Sequence, residues 1–237
     1  MRIKNKIAAI IAIIFFIVPV IAMGQKQSKS SSASSSVSRL FVIPSAYGFF
    51  PKVLIGAPTN NWKGIYINFN VTPHTCDIRN TDIRIDKIKE QDSTVIESTT
   101  KPRSSFLFYN LPIAPGPIYC TYDVVGAEKV SNVPVEIESY DIYKFKDQLI
   151  TVLPESENGV MEIILKVNSQ KQTLVKFKHG EYVNDIQTSF VGDIDRDGKV
   201  DILLHYGLGG ESGADYVFLS SLAKNGMLVE KFASCSY

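Results

Sequence analysis

Cysteine and histidine are scarce in this chain, with three of each among 237 residues. The histidines stand far apart at positions 74, 179 and 205, and no two cysteines are closely spaced. Zinc sites need closely spaced histidine and cysteine ligands, such as H-E-x-x-H or C-x-x-C. The scarcity therefore argues against a zinc enzyme or a zinc-stabilised domain.

Net charge is almost absent as well. The 25 lysine and arginine residues nearly balance the 24 aspartate and glutamate residues, which leaves a formal net charge of +1. A protein that binds nucleic acid needs a basic surface to neutralise phosphates. The sequence therefore predicts no nucleic-acid partner.

The N-terminal apolar run is short for a membrane span. It covers residues 7–21, follows basic residues at positions 2, 4 and 6, and precedes the small-x-small sequence of residues 22–24. A membrane helix needs about 20 apolar residues, whereas this order of regions is typical of a signal peptide. We expect residues 1–24 to be a signal peptide, with an uncleaved anchor as the alternative. The mature protein is then periplasmic or secreted and has no stable membrane span.

Serine dominates the next segment, residues 25–39, where it fills eight of fifteen positions. Such a segment has too little apolar surface to offset the entropy lost on ordering. We predict a disordered linker, or alternatively a mature N-terminal tail that links nothing.

Short apolar segments broken by prolines fill residues 40–135. Apolar side chains alternate at positions 65, 67, 69 and 71, and phenylalanine occupies positions 106 and 108. Residues 82–90 are also predicted as a strand, because Ile83 and Ile85 are β-branched and two apart. Period-two alternation buries one face of each strand, and two such sheets can pack together. The pattern predicts an antiparallel β-sandwich, with an immunoglobulin-like arrangement as one architecture that satisfies it.

Residues 136–237 continue in the same style and predict a second β-rich unit. Asn158-Gly159 and Asn225-Gly226 are typical of tight hairpin turns. No flexible linker separates this unit from the first, so their independence as domains is left open. The predicted strands are 148–153, 160–167, 173–177, 188–191, 200–205, 216–219 and 227–232.

The three cysteines predict a disulfide, because an exported protein folds in oxidising surroundings. Cys76 and Cys120 lie within the predicted sandwich and are the favoured pair. Cys235 is then left over, either as a buried small side chain or as a partner for another molecule. Sequence does not exclude a bond from Cys235 to one of the other two.

Residues 193–201 read D-I-D-R-D-G-K-V-D and predict a calcium loop. Carboxylates at positions 1, 3, 5 and 9 converge on one point along a tightly turned backbone, and the glycine at position 6 allows the turn. Calcium binds six to eight such hard oxygens. The predicted side-chain ligands are Asp193, Asp195, Asp197 and Asp201, and Lys199 supplies a carbonyl oxygen. The alternative is a metal-free, aspartate-rich turn.

The residues around the loop indicate which class of calcium-binding loop it belongs to. An EF-hand requires a glutamate at position 12 and a helix on each side. Position 12 is Leu204, and short apolar runs typical of strands precede and follow the loop. We therefore predict a strand-loop-strand site.

Residues 191–204 resemble the calcium loop of FG-GAP repeats, as found in integrin α-chains. Residues 216–229 and the late Cys235 are also similar to the C-terminal region of uncharacterised exported bacterial proteins that carry one such loop. The resemblance covers about residues 190–237 and implies the same five ligands. A propeller needs at least four repeated blades, and this chain has one copy, so integrin function does not transfer.

Together these features predict an exported, calcium-binding protein that has a binding or structural role and is not an enzyme. Its ligand is an unidentified protein or glycan, and Trp62, Tyr66 and Tyr47 are candidates for a sugar-stacking face, with packing as the alternative. A second cation at Glu211 and Asp215 is a weaker candidate than an exposed turn.

The alternative from another class is an exported hydrolase of glycans or peptides with a structural calcium. Its catalytic carboxylates would come from Asp82, Asp86, Glu155 or Glu157. A pocket with paired carboxylates would favour this enzyme, and an exposed aromatic or apolar patch would favour a binding protein.

Overall fold

The computed structural model describes residues 40–42, 50–51, 59–71, 73–87, 93–130, 139–179, 181, 183–208 and 212–236. The predicted signal peptide and linker, and the boundary region 131–138, lie outside these ranges. The described residues form seventeen β-strands and one 3₁₀ turn, which confirms the mainly β prediction. None of their helical segments is long and apolar enough to cross a bilayer.

The strands are short, and most have between three and eight residues. In chain order they are β1 (Leu40–Val42), β2 (Phe50–Pro51), β3 (Trp62–Asn68), β4 (Thr75–Asn80), β5 (Ile83–Lys87), β6 (Ser93–Ser98), β7 (Phe106–Tyr109), β8 (Gly116–Thr121), β9 (Val124–Lys129), β10 (Ser139–Phe145), β11 (Gln148–Glu157), β12 (Val160–Val167), β13 (Gln170–Lys176), β14 (Val183–Asp193), β15 (Asp201–Leu208), β16 (Ser212–Leu219) and β17 (Glu230–Ser236).

The strands pair antiparallel in three sheets. The largest has nine strands in the order β1-β7-β3-β4-β8-β14-β15-β16-β17, and β1 also contacts β17, so this sheet curls into a half-barrel. A five-stranded sheet has the order β13-β12-β11-β10-β9, and a three-stranded sheet has the order β2-β6-β5.

The nine-stranded sheet buries both of its faces, as strand β15 shows. Ile202 and Leu204 point into the core shared with the five-stranded sheet, where Phe145 and Ile163 also lie. Leu203 points into a second core, inside the curl. Because successive side chains of a strand point to opposite faces, one strand contributes to both cores.

A third core lies between the nine-stranded and three-stranded sheets. Trp62 and Leu107 from the large sheet pack there with Ile83 and Ile96 from the small one. The strand predicted at residues 82–90 is therefore present as β5, with Ile83 on its buried side.

Several predicted strands differ from the structure in their bounds, and in two places the prediction runs into a turn. Strand β3 ends at Asn68, whose side chain accepts a hydrogen bond from the Asn70 amide and begins a turn. Phe69 is consequently 57% exposed instead of buried. Strand β17 begins only at Glu230, because the preceding turn is closed by a hydrogen bond from the Met227 amide to the Lys224 carbonyl.

The Asn158-Gly159 turn joins β11 to β12 as predicted. Both residues have positive φ, 52° and 74°, which matches the two-residue turn preferred in β-hairpins. Glycine adopts this backbone conformation at no steric cost, and asparagine tolerates it better than most residues.

Strand pairing crosses the predicted boundary between residues 135 and 136. Strand β8 pairs with β14, with Cys120 opposite Gly192, and strand β9 pairs with β10. All described residues belong to one compact unit spanning residues 37–237. The two predicted β units thus share two sheets.

A disulfide joins Cys76 to Cys120, as the favoured pairing predicted. Both sulfurs are buried within the curl of the large sheet. Cys235 is not bonded and packs in the third core with Trp62 and Tyr109. Of the alternatives left open by the sequence, the structure therefore matches a buried small side chain.

Loss of the disulfide should lower the free energy of unfolding by about 4 kcal/mol, because the bond closes a loop of 44 residues in the unfolded chain. Urea titration with and without a thiol reductant measures this difference. The reductant should lower the free energy of unfolding of Cys235→Ala as much as that of the wild type. It should leave that of the double variant Cys76→Ala/Cys120→Ala unchanged. A reductant effect that survives in the double variant would contradict the assignment.

Candidate metal centre

The aspartate-rich loop connects two adjacent strands of the large sheet. Asp193 is the last residue of β14 and Asp201 the first of β15. Two apolar loop residues anchor the connection, because Ile194 packs in the core inside the curl and Val200 in the core against the five-stranded sheet. The loop backbone is therefore fixed from both faces of the sheet.

Asp201 is completely buried and ties the loop together. Its Oδ2 accepts hydrogen bonds from the amides of Ile194 and Asp195, at 2.6 and 3.3 Å. Its Oδ1 accepts from the Ser220 amide at 2.8 Å and lies 3.0 Å from the Ser220 hydroxyl. Both carboxylate oxygens thus serve as acceptors for neighbouring protein groups.

The surroundings of Asp201 act on its protonation in opposite directions. Burial, and after it the nearby charge of Asp195, raise the pKa of this carboxyl, and the net value is about 8. The hydrogen bonds from Ser220 and Ile194 oppose that shift because they stabilise the carboxylate.

Three other carboxylates converge at the loop. One oxygen from each of Asp193, Asp195 and Asp197 lies within 4.8 Å of the other two. Asp193 is 7% exposed, and its Oδ2 accepts a hydrogen bond from the Gly198 amide at 3.0 Å. Its Oδ1 is buried and has no hydrogen-bond partner. A buried carboxylate oxygen without a partner is costly, and a bound cation could supply that partner.

The loop backbone turns tightly around these carboxylates. The Asp197 amide donates to Asp195 Oδ1 at 3.2 Å, and the Lys199 amide donates to Asp197 Oδ1 at 2.8 Å. Gly198 has a φ of 88°, which explains the glycine at position 6 of the loop.

Arg196 fastens the loop to a neighbouring segment. Its Nε donates to the Pro117 carbonyl and its Nη1 to the Ala114 carbonyl, both at 2.9 Å. These carbonyls precede or begin strand β8, which pairs with β14. The guanidinium therefore binds the backbone next to the loop.

Two serines that sequence analysis did not identify contact the loop. The Ser220 hydroxyl lies 2.9 and 3.0 Å from the two oxygens of Asp197, and the Ser221 hydroxyl donates to Asp195 Oδ2. Both belong to the 3₁₀ turn Ser220–Leu222 after β16. Their separation of 23 and 26 residues from these aspartates explains why no local pattern indicated them.

The structure thus separates the predicted ligands into two groups. Among the described residues, the convergent cluster consists of Asp193, Asp195 and Asp197, which offer hard oxygen atoms that a metal ion could bind. Asp201 lies outside this cluster and braces the loop. Lys199 is exposed on the loop, and the ligation by its carbonyl stays a prediction, as does the identity of the metal.

Aromatic residues proposed as a sugar-stacking face serve mainly in packing. Trp62 is 1% exposed in the third core, and Tyr66 is buried with its hydroxyl 2.8 Å from Thr81 Oγ1. Buried rings present no face to a sugar, so that expectation is wrong for these two residues. Tyr47 lies outside the described residues.

The carboxylates proposed for a hydrolase do not share one site. Asp82 is exposed beside β5, Asp86 belongs to β5, and Glu155 and Glu157 lie on β11 of a different sheet. Glu155 pairs with Lys171 at 2.7 Å, and this hydrogen bond lowers the pKa of its carboxyl. A general acid requires the opposite shift.

Asp215 has a partner other than a second cation. It is buried on β16, and its Oδ1 lies 2.9 Å from Nδ1 of His205 on β15. Asp185 on β14 approaches the other ring nitrogen at 3.8 Å. The hydrogen bond to Asp215 and the two negative charges raise the pKa of His205, although burial opposes them. Glu211 lies outside the described residues.

Comparison of the chain with models of protein families, with curated proteins and with solved structures found no match. What the chain does must therefore be inferred from its own residues.

Replacing Asp201 by asparagine should destabilise the fold without calcium. An amide nitrogen in place of one oxygen faces at least one amide donor, which leaves a buried group unpaired at a cost of about 1–3 kcal/mol. Urea unfolding in EDTA at pH 9 measures this loss. Asp195→Asn is the control and should lose less, because Asp195 is only partly buried. Equal losses would contradict a bracing role for Asp201.

His205 should make the folded state more stable in mildly acidic solution. Its pKa is raised on folding, so its contribution is fully present below the unfolded value of 6.5 and is lost as the pH rises through the folded value. Urea titrations at several pH values should show this decline in the wild type and a weaker one in His205→Gln. His179→Gln, on an exposed turn, should keep the wild-type slope. The same slope in His205→Gln would refute the assignment.

Proposed function

We propose that this chain is an exported β-sheet protein that binds calcium in the loop of residues 193–201 and acts by binding another molecule or by a structural role. The buried, unpartnered Oδ1 of Asp193 carries the metal proposal. A cation would supply the partner that this atom lacks, and it would also offset the repulsion among the three convergent carboxylates.

The donor set favours calcium over other common metals. The convergent side chains are all carboxylates, and the sequence predicts a further oxygen from the Lys199 carbonyl. Zinc prefers nitrogen and sulfur ligands, and magnesium demands near-ideal octahedral geometry while it keeps several waters. Calcium accepts many oxygens in a flexible geometry, so an irregular loop of this type suits it best.

Two observations support export. The sequence at residues 1–24 has the order of a signal peptide, and Cys76 is joined to Cys120 by a disulfide. Extracytoplasmic modules bind calcium with dissociation constants of about 10⁻⁴–10⁻³ M, which matches the calcium available there. A metal that binds only the folded loop stabilises the folded protein.

A partly exposed aromatic cluster supports a binding role. Phe69, His74 and Tyr122 form edge-to-face contacts with ring centroids 5.2–5.7 Å apart, and Phe69 is largely exposed at the turn between β3 and β4. Val124, shortly after Tyr122 in sequence, is 51% exposed. Exposed aromatic and apolar groups are typical of contact surfaces. The partner would be a protein or a glycan.

Calcium should raise the unfolding temperature of the purified protein. Binding to the folded state alone adds about 2.7 kcal/mol at a calcium concentration one hundred times the dissociation constant. Thermal unfolding followed by circular dichroism, in EDTA and across a calcium titration, measures this gain, and magnesium at the same concentrations should produce little of it.

The double variant Asp193→Asn/Asp197→Asn should lose the calcium response, because it removes two of the convergent carboxylates. Asp123→Asn, in an exposed turn, is the matched control and should retain it. A wild-type protein that melts at the same temperature in EDTA and in millimolar calcium would exclude the calcium site.

A further inference from the structure

We propose that Lys146 is the residue that sets the calcium affinity of the loop, because its ammonium group competes with the metal for the same carboxylates. This inference rests on the calcium site proposed above. It concerns a side chain from the hairpin between β10 and β11, which lies in the five-stranded sheet and is not part of the loop.

The Lys146 ammonium is seated against the loop. Its Nζ donates to the Gly198 carbonyl at 2.6 Å and lies 3.7 Å from Asp193 Oδ2. Gly198 and Asp193 are residues 6 and 1 of the loop, so the ammonium bridges its middle and its first residue. Asp193 is also the residue whose other oxygen, Oδ1, has no hydrogen-bond partner.

The hairpin and two aromatic rings hold this lysine in place. Lys146 has a φ of 55° in the tight turn after the fully buried Phe145. Its Nζ lies 5.1 Å from the centroid of the Phe145 ring and 5.7 Å from that of Tyr119. These cation–π contacts favour a position of the ammonium beside the loop.

The other basic groups of the loop are directed elsewhere. Arg196 donates to the Pro117 and Ala114 carbonyls, and Lys199 is exposed. In the part of the chain that the structure describes, Lys146 is the basic residue that forms an ion pair with the convergent carboxylates.

One positive charge at this place has two opposite effects. Without a metal, it offsets part of the repulsion among the carboxylates and stabilises the loop. When calcium binds the same cluster, the ammonium repels the metal or must give up its contact with Asp193. Removing the charge should therefore destabilise the calcium-free protein and strengthen calcium binding.

Calcium titration calorimetry on Lys146→Met, Lys146→Arg and the wild type tests this inference. The methionine variant keeps most of the length of the side chain and removes the charge, so its calcium dissociation constant should fall about tenfold, which corresponds to about 1.4 kcal/mol. The arginine variant keeps the charge and therefore keeps the repulsion of the metal. Its calcium dissociation constant should lie within about twofold of the wild-type value. Lys144→Met removes an equal charge from an exposed position on the same hairpin and should also resemble the wild type.

Thermal unfolding in EDTA supplies the second measurement. Lys146→Met should unfold at a lower temperature than the wild type in EDTA and should gain more from calcium. A lysine with a purely structural role would lower the unfolding temperature and leave the dissociation constant unchanged.

The outcomes separate this inference from the calcium site itself. If the wild type binds calcium and Lys146→Met binds it equally or more weakly, the role of Lys146 is overturned and the site stands. If neither protein binds calcium, both proposals fail. Binding by Lys146→Met alone would support the inference in its strongest form.

Discussion

The local structure of the candidate site depends on the carboxylate of Asp201, which has no exposed surface yet accepts hydrogen bonds from both ends of the site. One oxygen holds the start of the loop through the amides of Ile194 and Asp195, and the other holds the 3₁₀ turn through Ser220. Burying a carboxyl is costly unless such donors surround it. These hydrogen bonds bring the start of the loop together with the 3₁₀ turn, although Ser220 follows Asp201 by 19 residues in sequence, and the convergent aspartates are arranged around this fixed point.

The remaining carboxylates of the loop pose a different physical problem, because they concentrate negative charge within one short loop. Serine hydroxyls partly offset the negative charges of Asp195 and Asp197. One amide and one ammonium group do the same for Asp193. These partners satisfy some of the oxygens and leave Asp193 Oδ1 unsatisfied. Protein contacts therefore order the loop backbone without a metal. The loop still offers carboxylate oxygens that a cation could bind.

Much of this arrangement could be predicted from local sequence. Period-two alternation, the Asn158-Gly159 turn and the spacing of the loop aspartates are local signals, and each corresponds to a described feature. The contacts of Lys146 and Ser220 with the loop could not be predicted, because strand order in the sheets decides them. Local pattern also overextended β3 to include Phe69, since alternation does not report where a turn intervenes.

Asp201 has a second role that its spacing does not reveal. Its position 9 in the loop predicts a metal ligand, which stays a prediction, and its hydrogen bonds from the Ile194 and Ser220 amides make it an internal brace. Spacing reports which side chains can approach a common point, but the competition from amide donors depends on the folded surroundings.

Strand β14 meets strand β8 over only three residue pairs, and the partner of Gly192 in this short junction is the disulfide-bonded Cys120. The disulfide from β8 to β4 and the loop proposed to bind calcium therefore both adjoin this narrow seam, where segments about 70 residues apart in sequence are joined. Closing so long a stretch of chain is entropically expensive and tends to occur late in folding. If the loop binds calcium as proposed, reducing and calcium-poor surroundings would remove both reinforcements, and the seam would close fully only where oxidising conditions and calcium are present together.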